Sequence, residues 1–301
     1  MGTPDFAVPS LEILLDSGFD VPAVVTAPDK PGGRLGLQES AVKKFAVSRG
    51  LRVLQPEKLR NPDFLAELRG FQADLQVVVA FRMLPEAVWN MPPLGTMNLH
   101  GSLLPKYRGA APINWAIIRG EAETGVTTFL LKHEIDTGDL LFQERIPIGP
   151  NETAGELHDR MMQIGAKLVL RSVQAIERGD YQPQPQPEVE ATHAPKIFHE
   201  TCQIDFAKPT AEVHNFVRGL SPYPGAWTTF EGKNFKILRT VDGGRWATDS
   251  ERKPPGQFFS DGKNWLRIST LDGFVEVLEL QIEGKRRMSV RDFLNGHKWL
   301  F

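Results

Sequence analysis

The sequence predicts an α/β protein, a mostly parallel Rossmann-like sheet followed by a small C-terminal β-barrel of OB-like type, and three observations carry that prediction. Up to about residue 180, short β-branched runs alternate with amphipathic helical patterns, as βα units around a sheet require. Val77-Val78-Val79-Ala80 is a continuous apolar run, the mark of a strand buried on both faces. Beyond a proline-rich stretch the segments shorten and glycines recur at turn positions, which suits a small barrel.

Strands are expected over 21–25, 51–54, 74–80, 96–100, 125–131 and 140–148. Helices are expected over 8–17, 41–49, 61–69 and 153–178, the last opened by Thr153 and Glu156 as a capping box. From Tyr181 to Pro195 proline alternates with polar residues, a pattern that favours an extended and semi-rigid connection. The expected division is a catalytic domain over 1–181, a linker over 182–198 and a second domain over 199–301. The turns of that second domain are Glu231-Gly232-Lys233-Asn234, Asp242-Gly243-Gly244, Asp261-Gly262-Lys263 and Leu271-Asp272-Gly273.

Composition narrows the function classes. Apolar residues at 41% and charged residues at 24% match ordinary globular proteins, which excludes disorder on a large scale. A net charge of -2 gives no global field towards nucleic acid or an anionic membrane, so any basic surface is local. Residues 199–301 carry 15 Lys plus Arg against 13 Asp plus Glu, net +2, which leaves 20 against 24, net -4, for the first 198. The single cysteine, Cys202, cannot form an internal disulfide, and no Cys and His recur at zinc spacing, so a reducing compartment and no metal are expected. Met1 to Phe6 lacks the basic and apolar regions of an export signal, and no run of about 18 apolar residues occurs. A cytoplasmic monomer is the expectation. Gly2-Thr3-Pro4 and Gly32-Gly33-Arg34-Leu35-Gly36 match neither a P-loop nor the dinucleotide fingerprint, which leaves ATP and NAD without support.

The densest chemistry lies between Thr96 and Pro112. On a strand, side chains two apart share a face, so Asn98 and His100 point together while Met97 and Leu99 point the other way. An amide donor beside an imidazole, at the carboxyl end of a sheet strand, suits acyl transfer. The amide can bond the oxyanion of a tetrahedral intermediate, and the imidazole can stabilise that charge or move a proton. Asp136, in the turn Ile135-Asp136-Thr137-Gly138-Asp139, supplies a carboxylate to orient the imidazole or to relay the proton leaving an amine. From spacing alone two plainer readings stay open, a satisfied structural histidine and an ordinary Asp-Thr-Gly-Asp turn.

Asn98-Leu99-His100-Gly101-Ser102-Leu103-Leu104-Pro105-Lys106-Tyr107-Arg108-Gly109-Ala110-Ala111-Pro112, with Asp136-Thr137-Gly138-Asp139 downstream, closely resembles the signature of the folate-dependent formyltransferases. Gly2 to Pro9, Ala27 to Arg34 and Leu220 to Ala226 resemble the branch of that family whose acceptor is initiator methionyl-tRNA. The resemblance covers nearly the whole chain. It implies the formyltransferase fold, 10-formyltetrahydrofolate as formyl donor, initiator methionyl-tRNA as partner, and Asn98, His100 and Asp136 as the catalytic triplet. Ser102, Leu103, Leu104 and Pro105 match the folate-contacting loop, and Phe81, Met83, Leu84 and Pro85 match a segment whose backbone meets the pterin. Thr137, Gly138 and Asp139 belong with the same donor site, and Arg34 matches an arginine that engages the acceptor end of the tRNA. In the second domain Lys233, Lys236, Lys285, Arg286 and Arg287, with Arg239, are candidates for a phosphate-contacting face.

Rival readings are a sugar-nucleotide N-formyltransferase, which shares the triplet, a formylfolate hydrolase, and a tRNA-binding protein without chemistry. Ala110-Ala111-Pro112 and the Gly2-Thr3-Pro4 start argue against the first, and the intact triplet against the last. Family members carry an apolar strand before the Gly-Thr-Pro turn, whereas this sequence opens at Met1-Gly2. The expectation is a missing first strand, its code lying in frame upstream, and a chain that as given is poorly soluble or inactive.

Overall fold

In the computed structural model, which describes residues 1–32, 36–134 and 136–296, the alternation of the first half becomes parallel strand pairing. β1 (Val24–Val25) lies parallel to β2 (Val53–Leu54), and β3 (Gln76–Val79) lies parallel to β4 (Thr96–His100). The sheet then changes sense: β5 (Glu123–Leu130) runs antiparallel to β4, and β6 (Leu140–Pro147) completes the order β3-β4-β5-β6. The mostly parallel reading therefore holds up to His100 and not beyond it. The connection over 101–122 returns the chain in the opposite sense, and no periodicity within a strand records that choice.

α1 (Val8–Asp16), α2 (Ala41–Ser48) and α3 (Pro62–Gly70) form where the apolar spacing places them. Ser40 Oγ accepts from Lys43 N at 3.0 Å and Asn61 Oδ1 from Asp63 N at 2.8 Å, so α2 and α3 both start on a side-chain cap. A single turn, α4 (Glu86–Trp89), follows β3. Val25, Leu54, Phe64, Leu68, Val78 and Val88 form the apolar cluster between these elements.

Met1 and Gly2 pair at the upper end of β1 and β3. Gly2 N donates to Val25 O at 3.0 Å, Val79 N to Met1 O at 2.9 Å, and the Met1 amino group to Val77 O at 2.6 Å. A Cβ on Gly2 would stand 2.6 Å from Ala7 Cβ and 2.9 Å from Val79 O, so only glycine fits this approach. Below Met1 lies an apolar cavity of about 420 Å³, lined by Leu14, Leu75, Val77, Val173 and Ile176 among others. It shares no residue with the Asn98, His100 and Asp136 triplet.

By backbone contacts the chain divides into two units, the first made of Met1–Gly109, Gly125–Ile146 and His158–His193. The second takes in Ala110–Thr124, Pro147–Leu157 and the chain from Ala194 onward. α5 (Pro112–Ile118) belongs to the second, and α6 (Ala154–Arg178) begins there and ends in the first. The capping box is formed: Thr153 N donates to Glu156 Oε2 at 2.9 Å and Glu156 N to Thr153 Oγ1 at 3.3 Å, a cap worth about 1 kcal/mol.

The second unit holds α7 (Thr210–Gly219), a six-stranded antiparallel sheet and α8 (Val290–Gly296). Its strands are β7 (Ala226–Phe230), β8 (Lys233–Arg245), β9 (Phe258–Ser260), β10 (Leu266–Ser269), β11 (Gly273–Ile282) and β12 (Met288–Ser289). They run in the order β7-β8-β11-β10-β9, with β12 beside β11. Among the described residues no backbone ladder joins β7 to β9, yet the Phe230 and Phe258 rings meet at 4.7 Å, so the end strands close through aromatic side chains. The interior is filled by Phe235, Ile237, Leu266, Ile268, Val277 and Phe293, and α7 adds Val213 and Val217. Cys202 is buried there with Sγ donating to Phe198 O at 3.1 Å, and desolvation raises its thiol pKa, as in a packing residue. Among the described residues no helix is long and apolar enough to cross a membrane, and no group of His, Cys, Asp or Glu could hold a metal ion.

Candidate active site

β4 places the first two members of the triplet. Its central position in the sheet buries Met97 and Leu99 almost completely, while Asn98 stays half-buried between Val78 of β3 and Phe129 of β5. His100, the last residue of the strand, is 6% exposed. Its Nε2 lies 2.8 Å from Tyr107 O, and because a carbonyl can only accept, Nε2 carries the proton of that bond. Nδ1 then faces Asp136 Oδ2 at 3.8 Å, too far for a direct hydrogen bond. Two acceptors therefore confront each other unless a proton sits between them, either on Nδ1 or on a group bound in the gap. Such an arrangement can accept a proton from a bound group.

Asp136 stands on the loop between β5 and β6. Its backbone is in the left-handed region at φ 57°, which aspartate tolerates better than most residues at a cost of about 1 kcal/mol or more. Gly109 N donates to Asp136 Oδ2 at 2.9 Å and fixes one carboxylate oxygen. Gly138 is pressed against the end of β5, where a Cβ would meet Leu130 O at 1.6 Å, so no other residue allows the loop to pack there. Thr137 Oγ1 donates to Glu134 O at 3.1 Å, and Asp139 pairs with Lys132 at 2.7 Å. The loop is held from its far side by Gln186, whose Nε2 donates to Asp136 O and Gly138 O.

The loop after His100 is packed inward. Ser102 Oγ donates to Lys106 O at 2.6 Å, Thr127 Oγ1 donates to Ser102 O, and Leu104 O accepts from Gln143 Nε2 at 2.8 Å. Ser102, Leu104 and Pro105 are buried, and Leu103 alone of the four keeps partial exposure. In the segment after β3, Leu84 belongs to the core while Met83 is 73% exposed, with Phe81 and Pro85 half-buried. The signature thus brings Asn98, His100 and Asp136 together across 38 residues of sequence, whereas much of the expected donor-contacting set is committed to the interior.

The basic candidates separate into two groups. Lys236 Nζ donates to Pro224 O at 2.9 Å, Arg287 pairs with Glu279, and Arg239 pairs with Glu156, so each is engaged within the protein. Lys233, Lys285 and Arg286 are exposed. Glu283 N donates to Asn234 O at 3.0 Å, which sets the start of β8 beside the turn that carries Lys285 and Arg286. Arg34 lies outside the described residues.

Arg108 and Gln186 are partners of the site that sequence reasoning passed over. Arg108 sits inside the signature, but Gln186 lies in the proline-rich stretch, where the only hint is a polar residue that the structure half-buries among exposed neighbours.

Residues 1–173 match the family model described as formyl transferase, and residues 196–298 match that of the formyl transferase C-terminal domain. The chain is 52% identical over 306 residues to a methionyl-tRNA formyltransferase of Parabacteroides distasonis, covering 99% of this chain and 94% of that protein. It is 53% identical over 308 residues to one from Phocaeicola vulgatus, with 99% and 94% covered. Among solved structures, the sugar 3N-formyl transferase WlaRD superposes with a TM-score of 0.68 at 22% identity, covering 95% of this chain and 97% of that one. HypX from Aquifex aeolicus in complex with tetrahydrofolic acid superposes with a TM-score of 0.61 at 23% identity, covering 85% and 44%. These two likenesses speak to the fold.

Proposed function

Since the chain belongs to the formyl transferase family, we infer that it transfers the formyl group of 10-formyltetrahydrofolate to the amino group of initiator methionyl-tRNA, the step that prepares this tRNA for translation initiation. The observation that carries the reading is identity of about half the residues with methionyl-tRNA formyltransferases over 98% or more of the chain. The sugar-nucleotide alternative has likeness of fold alone behind it.

In this reading the formyl donor supplies an activated carbonyl carbon, and the residues of the chain do the rest. Asn98, half-buried on β4, donates to the carbonyl oxygen as it gains negative charge. Asp136 accepts the proton that the methionyl amine loses as its nitrogen bonds to the formyl carbon. His100, held by Tyr107 O, keeps Nδ1 towards Asp136 and shares that proton, which returns to the departing folate nitrogen as its bond to carbon breaks. Phe81, Met83, Pro85 and Leu103 are the exposed or half-exposed members of the donor-contacting set, and Thr137 and Asp139 border it. Lys233, Lys285 and Arg286 hold tRNA phosphates, joined by Arg34. The domains of this function are 1–181 and 199–301, and the protein works as a cytoplasmic monomer, to be checked by light scattering.

The direct test offers the chain 10-formyltetrahydrofolate with methionyl initiator tRNA, with an amino-sugar nucleotide, and with water alone, and follows the formyl label. Label on the tRNA alone is the expected result. Label on the sugar, or release as formate at the same rate without tRNA, overturns the reading.

A further inference from the structure

The segment 182–193, extended and rich in proline, is stitched to the start of β6 and to the signature loop. Leu140 and Gln184 exchange backbone hydrogen bonds at 2.8 and 2.9 Å, Arg108 N donates to Thr192 O at 2.9 Å, and Tyr107 N donates to Thr192 Oγ1 at 2.9 Å. Within this strap Gln186 is half-buried while every other residue from 182 to 190 is exposed.

Its amide is used at both ends. Oε1 accepts from Arg108 Nε at 3.1 Å and Arg108 Nη2 at 2.9 Å, and Nε2 donates to Asp136 O at 2.7 Å and Gly138 O at 2.8 Å. Arginine only donates and a carbonyl only accepts, so this amide has one possible orientation. Arg108 is 6% exposed, and its charge is met by Glu188, which accepts from Nη1 at 2.8 Å. A carboxylate at 186 would serve Arg108 as well as the amide does. Only an amide can serve Arg108 and also donate to two carbonyls.

Those carbonyls belong to the part of the loop that needs holding. Asp136 sits at φ 57°, a conformation that persists only where its surroundings impose it. The Gly109 N–H fixes the carboxylate, and Gln186 fixes the backbone from which that carboxylate projects. We propose that Gln186 is a positioning residue for the transfer reaction: anchored on Arg108, it sets the Asp136 backbone so that the carboxylate stands opposite His100. The proposal rests on the reading of Asp136 as proton acceptor given above.

The test uses the full chain with 10-formyltetrahydrofolate and methionyl initiator tRNA. Q186E keeps the Arg108 contact and loses both donations to the loop, so kcat should fall roughly 10- to 100-fold, the effect of a small misplacement of a reacting group. KM for either substrate should stay close to that of the parent, and the melting temperature should fall less than in Q186A, since Arg108 keeps its partner. Q186A should lose both turnover and melting temperature, because Arg108 is then left underpaired. E190Q, which changes an exposed side chain of the strap away from Arg108 and the Asp136 loop, should keep kcat within about twofold. D136N is measured alongside. Parental kcat in Q186E beside an inactive D136N overturns the positioning role and leaves the reading of Asp136 standing, whereas parental turnover in D136N overturns both. A kcat loss in Q186E accompanied by the melting-temperature loss of Q186A makes Gln186 a packing residue and also overturns the proposal.

Discussion

Replacing Asp136 by asparagine isolates charge from shape. The variant keeps an oxygen to accept from Gly109 N–H and keeps a side chain of the same size on the φ 57° backbone, but it removes the negative charge 3.8 Å from His100 Nδ1. Two opposite unit charges at that separation attract by roughly 4 kcal/mol at an effective dielectric of about 20, and by about 1 kcal/mol in bulk water. Both side chains are nearly enclosed, at 7% and 10% exposure, so the upper part of that range applies. If the attraction acts when the imidazole shares the amine proton, D136N should lower kcat roughly 10- to 1000-fold. Single-turnover transfer of labelled formyl to methionyl initiator tRNA reads this directly, with folate binding measured separately by fluorescence. Folate affinity should be unchanged. A D136N chain that turns over within about threefold of the parent refutes the proton-acceptor reasoning.

Removing the oxyanion donor Asn98 or the proton-sharing His100 should act on the same step: N98A and H100A are each expected to lower kcat about 100- to 1000-fold with folate binding kept, and near-parental turnover in both sinks the assignment. Replacing Lys233, Lys285 and Arg286 by glutamine should reduce the slope of log affinity for tRNA against log salt by about 2 to 3, and an unchanged slope rejects that face.

Local signals were legible wherever burial and periodicity agree. The Thr153 and Glu156 box and the apolar run of β3 each concern residues within four positions of one another, and their chemistry forces the structure found. α5 and α7 are absent from the expected helices: both are short, one lies within the signature and the other in a half whose recurrent glycine turns suggest strands alone. Asn98 and His100 were readable as a pair because alternation on a strand is a two-residue rule.

The sequence by itself determined the family and the placing of Asn98 and His100 on one strand face, and it offered Asp136 as a candidate carboxylate, because a long signature and short-range spacing are properties of neighbouring residues. Tertiary structure decided how the site is held together. The antiparallel turn after His100, the Tyr107 carbonyl that assigns the imidazole proton, and the Arg108 and Gln186 brace all depend on which distant backbone atoms come within about 3 Å. It decided too that Lys236, Arg239 and Arg287 are engaged internally while Lys233, Lys285 and Arg286 face solvent. Composition counts charges, but only the folded chain decides which of them find a partner, since a hydrogen bond requires an approach that no one-dimensional spacing encodes.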